Sequence, residues 1–303
     1  MQSHKPMKIS AFPKCYLDDI CVHKTMSVFD WIEKSKSLGA EGLEMYSGFF
    51  ESLDDAYIDR VGEAIRRAGY AMPMLCYSPN FTNPDPDARQ REIEKQAEMI
   101  RITWRLGGRG AACRVLSGQA YPEVSIAQGI EWVVECIRAV LPVAREYGIV
   151  LAMENHFKDG YWQYREFAQK KEVFLQIVNA IDDTEYFGVQ YDPSNALVAG
   201  DDPIELLEAV KHRVKTMHAS DRYLAPGYRL EDMRQADGTL GYPQGLQHGV
   251  IGKGLNDYDK IFQMLKQVNY QGWVSIEDGM NGMDEMRESI EFLKRMRAKY
   301  FDR

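Results

Sequence analysis

Four apolar, β-branched runs in this 303-residue chain each end on a residue able to bind a divalent cation: Glu154 in IVLAMENH, Asp192 in YFGVQYDPSN, His218 in VKTMHASD and Glu277 in WVSIEDG. A run that is apolar at consecutive positions, rather than alternating, is buried on both faces, which is the habit of strands in parallel sheets covered by helices. Parallel strands deliver their C-terminal ends to one rim. The four residues therefore constrain fold and chemistry together.

Between such runs the periodicity changes to that of helices. MKISAFP at 7–13 reads as a first strand, followed by a helix over 26–39 with Val28, Ile32, Ser35 and Leu38 on one stripe and Gly39 as its stop. A second strand starts at Gly42, and a helix over 54–69 carries Ile58, Val61, Ile65 and Ala68. The third strand spans 71–78, and the next helix, Asp87 to Leu106, places Ile93, Ala97, Ile100 and Trp104 together. GRGAACRVLSG is strand four, and the helix after it, 125–148, contains Pro142, a potential kink. Strand five (149–156), a helix near KKEVFLQIVNAI, strand six (186–192) and a short helix at PIELLEAVKH lead to strands seven and eight, and a helix over 283–300 closes the chain. Eight strands alternating with helices over short connections predict an α/β architecture, a single (β/α)8 TIM barrel over 1–303. A doubly wound sheet is disfavoured because no GxGxxG opens a helix after strand one. Two connections break the regularity, 78–86 and about 222–255, and long loops of this kind usually serve function.

Composition limits the partners. With 45% hydrophobic residues a large core is available, while a net charge of −8 and no basic stripe argue against nucleic acid or an anionic membrane surface. Five dispersed cysteines without a CxxC pair suggest reduced thiols, and neither a signal core nor a membrane-length run is present, so a cytoplasmic location is expected.

Two glutamates, one aspartate and one histidine converging on a barrel mouth form an oxygen-rich site for one divalent cation. Mn²⁺ is placed first, with Mg²⁺, Co²⁺ or Zn²⁺ as substitutes. Such an ion chelated by a sugar's carbonyl and hydroxyl polarises the carbonyl, and carboxylates at either side can exchange protons with the neighbouring carbon. Glu154 and Glu277, three strands apart on the ring, suit that placement.

The runs MENH, YDPSN, MHASD and SIED, in this order and at these strand ends, resemble the xylose-isomerase-like barrel superfamily of sugar phosphate isomerases and epimerases. The likeness extends from EGLEMY at strand two to YQGWVSIED at strand eight, and is nearest to the ketose 3-epimerase, inosose dehydratase and hydroxypyruvate isomerase branch. It implies that Glu154, Asp192, His218 and Glu277 bind one metal and that Glu154 and Glu277 are also the acid/base pair. Ketose 3-epimerases usually carry a histidine three residues after the aspartate ligand; here Asn195 stands there, which can hydrogen-bond but cannot shuttle a proton. His156 shares a strand face with Glu154 and is a third catalytic candidate. The ENH run is also similar to catalytic subunits of C-glycoside deglycosidases, in which the same proton removal ends in β-elimination from a 3-keto-glycoside. In that alternative His156 is the base and the protein is a lyase. A sugar-binding barrel without catalysis is a third reading.

Glu44, Tyr77, Asn195, Arg222 and His248 are expected to contact substrate, a small sugar or keto-sugar. Tyr46, Trp162 and Lys253 are softer candidates. Homo-oligomerisation or a small partner subunit is compatible with such a barrel, but no residue identifies an interface.

Overall fold

The computed structural model describes residues 7–230, 245–277 and 279–302. Its main sheet contains β1 (Lys8–Ala11), β2 (Gly42–Leu43), β3 (Met45–Tyr46), β4 (Met74–Cys76), β5 (Ala112–Val115), β6 (Val150–Glu154), β7 (Phe187–Tyr191) and β8 (Val214–Ala219). A two-stranded antiparallel hairpin, β9 (Arg222–Leu224) and β10 (Leu246–His248), precedes the last barrel strand, β11 (Trp273–Ile276). All pairings in the main sheet are parallel, in the order β2-β1-β11-β8-β7-β6-β5-β4-β3. The two ends of this order, β2 and β3, are halves of one strand separated only by Glu44. The sheet is therefore a ring of eight strands, the barrel expected from the sequence. At the seam, the Leu43 N–H donates to the Ala71 carbonyl at 2.9 Å and the Ala71 N–H to the Glu41 carbonyl at 3.2 Å.

Ten α-helices lie among the described residues: α1 (Leu17–Cys21), α2 (Val28–Ser35), α3 (Asp55–Arg67), α4 (Pro86–Gly107), α5 (Ile126–Tyr147), α6 (Lys171–Asn179), α7 (Pro193–Val198), α8 (Pro203–Val210), α9 (Tyr258–Gln267) and α10 (Met283–Tyr300). Local chemistry sets their starts. Ser27 and Asp30 form a reciprocal capping box on α2, and the side chains of Asp54, Asp85, Ser125, Asp202 and Asp257 accept first-turn N–H groups of α3, α4, α5, α8 and α9. Proline opens α4, α7 and α8, where its missing N–H has no helical partner to lose. Helix α5 ends on Gly148 in the left-handed region and runs unbroken through Pro142.

The stripe on α2 is buried as expected, from Val28 through Leu38, although the helix proper stops at Ser35 rather than at Gly39. Trp104 departs from its expected place. The buried face of α4 centres on Gln96, Met99, Ile100, Thr103 and Leu106, so Trp104 falls on its shoulder, 41% exposed and edge-on to Tyr147 of α5 with ring centroids 5.4 Å apart. Helix α9 is absent from the sequence reading, although its stripe of Tyr258, Ile261, Phe262 and Leu265 is buried against the barrel. The expected loop at 222–255 contains the β9–β10 hairpin, and its stretch 231–244 lies outside the described residues. No described helix is long and apolar enough to cross a membrane.

Candidate active site

Parallel registry brings the four strand-end residues together. Glu154 is the last residue of β6, Asp192 caps α7 directly after β7, His218 lies near the end of β8, and Glu277 follows β11, its N–H donating to the Ala219 carbonyl at 2.9 Å. One ligand-capable atom from each lies within 4.8 Å of all the others. Glu154, Asp192 and His218 are buried, and Glu277 is partly open to the mouth.

Each member is held from behind. Asp192 Oδ1 accepts from the Asn195 N–H (2.9 Å) and the Ser220 hydroxyl (2.8 Å), while the Asn155 side chain clamps the Asp192 backbone through both its N–H and its carbonyl. Glu154 Oε2 takes a 2.8 Å bond from Arg114 Nη1, and its Oε1 takes one from Asn195 Nδ2 at 3.2 Å. Lys14 Nζ lies 3.1 Å from Glu277 Oε1. His218 Nδ1 lies 3.1 Å from Glu154 Oε1 and 3.4 Å from Glu277 Oε2, so this nitrogen faces the ligand cluster.

Burial alone would push both glutamates up. His218 and Arg114 overcome that at Glu154 and lower it to about 2, and Lys14 and His218 hold Glu277 well below the ordinary carboxylate range. At Asp192 burial, then the charges of Glu277 and Glu154, outweigh the lowering by His218 and the Asn195 N–H, and raise it to about 6. Three crowded carboxylates around an imidazole nitrogen call for a positive charge between them, and their mixed oxygen and nitrogen donors suit a divalent ion of the Mg²⁺, Mn²⁺ or Zn²⁺ type. The residues fit the metal that the sequence led one to expect.

A cleft of ≈ 290 Å³ opens beside this cluster, lined by Lys14, Tyr46, Arg114, His156, Tyr161 and Glu277 among others. His156 Nδ1 lies 3.3 Å from Glu166 Oε2. Glu166 is itself buried and accepts from the Ser117 N–H at 2.8 Å and from the Ser117 hydroxyl. Burial works against a charged His156, but the bond to Glu166 prevails and raises its pKa. Sequence reasoning missed Arg114, Lys14 and Glu166. Arg114 had left a signal, an arginine inside the apolar strand ACRV, where a buried charge must be paired. Glu166 left none, because it reaches the site only through the fold of a loop.

The expected substrate contacts divide. Asn195 joins the cluster as a donor to Glu154 rather than as a wall of the cleft. Glu44 is fully buried beneath it, bonded to His218 Nε2 and Cys76, and does not reach the cleft. Tyr77 is also displaced from that role: its hydroxyl donates to Glu92 at 2.7 Å and its carbonyl accepts from Arg114 at 3.2 Å. Arg222 and His248 face each other across the β9–β10 hairpin, outside the lining of the cleft. Burial and then the charges of Arg222 and Lys14 lower His248 to about 3. Tyr161, rather than the neighbouring Trp162, lines the cleft, as does Tyr46.

An eight-stranded parallel barrel with three carboxylates and one imidazole gathered at its C-terminal rim defines a (β/α)8 protein with a candidate cation site on the face where such barrels carry their chemistry. The chain belongs to the family described as xylose isomerase-like TIM barrel, whose model matches residues 32–296. It is 25% identical over 139 residues to an inosose dehydratase of Clostridium botulinum (strain Alaska E43 / Type E3), an alignment covering 45% of this chain and 42% of that protein. The match thus spans less than half the length of this curated relative. Among solved structures, the IOLI protein with a binding zinc atom superposes with a TM-score of 0.74 at 17% identity, over 98% of this chain and 100% of that one. A 3-keto-D-glucoside 4-epimerase from E. coli superposes with a TM-score of 0.64 at 18% identity, over 96% and 99%. At these identities the structural likeness speaks for the fold.

Proposed function

We propose that this chain is a divalent-metal-dependent sugar isomerase or epimerase that removes a proton beside the carbonyl of a sugar or keto-sugar. The observation that carries the reading is the pairing of Glu154 and Glu277 around one imidazole nitrogen, each with its own cation, Arg114 and Lys14. Asp192 and His218 complete the ligand set with them, for Mn²⁺ first and Mg²⁺, Co²⁺ or Zn²⁺ otherwise. When bound, the ion supplies Lewis-acid polarisation of the substrate carbonyl. The chain's own residues do the rest. His218 and Arg114 hold Glu154 low, and Lys14 and His218 hold Glu277 low, so both carboxylates can accept a proton, and Glu277, which borders the cleft, is placed to meet substrate. Tyr46 and Tyr161 offer aromatic faces to a sugar ring or a flat substituent.

A second reading, a lyase acting on 3-keto-glycosides by β-elimination, is favoured by His156. Its ring lines the cleft while Glu166 holds Nδ1, which leaves Nε2 as the nitrogen available to substrate. Asn195, standing where ketose 3-epimerases usually have histidine, removes one proton carrier from the epimerase scheme. The names of the similar proteins, an inosose dehydratase and a 3-keto-D-glucoside 4-epimerase, are compatible with either reading.

The test is incubation of the metal-loaded protein in heavy water with a panel of ketoses and 3-keto-glycosides. Deuterium entering carbon beside the carbonyl is expected. Recovery of an isomer supports the first reading and release of an aglycone the second, while no exchange with any member would overturn both.

A further inference from the structure

Behind the ligand cluster lies a second buried group that the proposed chemistry leaves unused. His218 Nε2, on the side of the ring away from Glu154 and Glu277, lies 2.5 Å from Glu44 Oε1, and the Cys76 thiol donates to the same oxygen at 2.9 Å. Glu44 and His218 are both fully buried. Glu44 Oε2 has no hydrogen-bond partner among the described residues, so the charge of this carboxylate is directed at His218 and Cys76 alone. Glu44 stands at the one residue that separates β2 from β3, where the barrel closes, so the backbone seam also fixes the carboxylate.

As a metal ligand His218 must be neutral, and its surroundings then select the tautomer. A neutral imidazole has one N–H and one lone pair. Glu44 Oε1, which accepts the Cys76 thiol, stands against Nε2 and takes its N–H, and the lone pair of Nδ1 then faces Glu154 and Glu277. Without Glu44 either nitrogen could carry the proton, and one of the two tautomers would present an N–H to the cation. The Cys76 thiol occupies a second lone pair of that same Glu44 oxygen and so restrains the carboxylate.

We infer that Glu44, steadied by Cys76, is a positioning residue that fixes His218 as an Nδ1 ligand and thereby sets the affinity of the site for its divalent ion. This rests on the metal site argued under the proposed function, and extends it to residues that touch neither metal nor substrate. Removal of such an outer carboxylate typically weakens metal binding by about 10–100-fold.

The experiment is a chelator competition with Zn²⁺ and Mn²⁺ on the purified wild type, Glu44→Gln and Cys76→Ser, each checked by circular dichroism. Glu44→Gln is expected to bind both ions about 10–100-fold more weakly, and Cys76→Ser, which keeps a donor, within a few-fold of wild type. Affinity of Glu44→Gln equal to wild type would overturn the inference while leaving the metal site intact. A wild type that binds no divalent ion would instead overturn the metal site itself, and this inference with it. Should Glu44→Gln fail to fold, long-range ¹H–¹⁵N spectra of the Zn²⁺-loaded wild type give the answer directly. A protonated Nε2 and a metal-shifted Nδ1 on His218 support the inference, and the reverse assignment refutes it.

Discussion

At the scale of single residues, the rim is a set of charges each of which is tolerable only because of another. Arg114 is buried and bonded to Glu154, to the Tyr77 carbonyl and to the Ser78 hydroxyl. Arg114→Met would leave the Glu154 carboxylate buried without its shortest hydrogen bond, and should cost about 3–5 kcal/mol of folding stability in urea denaturation of the metal-free protein. Glu277→Gln and Glu154→Gln should each lower turnover by at least about 10²-fold, the usual contribution of a general acid or base, with circular dichroism unchanged. Near-wild-type turnover in either would remove that residue from the acid/base pair. The residue types at the ligand positions were legible in sequence because each ends an apolar run. Glu44 was legible as a strand-end acid too, yet its assignment to substrate did not follow, since a strand end alone does not say whether a side chain faces the cleft or the imidazole behind it.

At the scale of elements, the segment after β10 returns to the barrel through one buried carboxylate. Asp221 accepts the N–H groups of Gly252 and Gly254, each at 2.9 Å, and those of Arg222 and Asn256 at 3.0 and 3.1 Å. A Cβ at Gly254 would lie 2.3 Å from Asp221 Oδ1 and 2.4 Å from the Arg222 carbonyl, so only glycine allows this close return. Asp221→Ala leaves the buried N–H groups of Arg222 and Asn256 without their acceptor. A loss of roughly 2–4 kcal/mol is expected, together with faster amide exchange confined to residues 250–257. Uniform exchange across the barrel would show that Asp221 stabilises the whole fold rather than this return. Strands and helix caps were readable from local pattern here, whereas the anchoring of a loop by Asp221 depends on residues more than thirty positions apart. Trp104 makes the same point within one helix. Its spacing matches the stripe, but the centre of the buried face is set by what α4 packs against.

At the scale of the whole molecule, barrel closure and the cation site are linked through the seam at Glu44. Gly42 lies at that seam, where an added Cβ would come within 2.8 Å of the Trp273 ring and 3.0 Å of the Ala71 carbonyl. Gly42→Val should therefore destabilise the fold by about 1–3 kcal/mol through overpacking, read as a lower midpoint in urea. Saturating divalent ion should act in the opposite sense. At a hundredfold excess over its dissociation constant it adds about 2.7 kcal/mol, a gain that Asp192→Ala combined with His218→Ala should abolish in a thermal-shift titration. The sequence by itself determined the number of strands, their parallel arrangement and the four ligand candidates, because a strand buried on both faces and ended by an acid or an imidazole is a local, periodic signal. Only the tertiary structure decided that β2 and β3 close the ring, that Arg114 and Lys14 neutralise the two glutamates, and that Glu44 and Glu166 stand behind the two histidines. Those relations join residues 10 to 263 positions apart, and they exist only once the barrel brings its strand ends and loops to one rim.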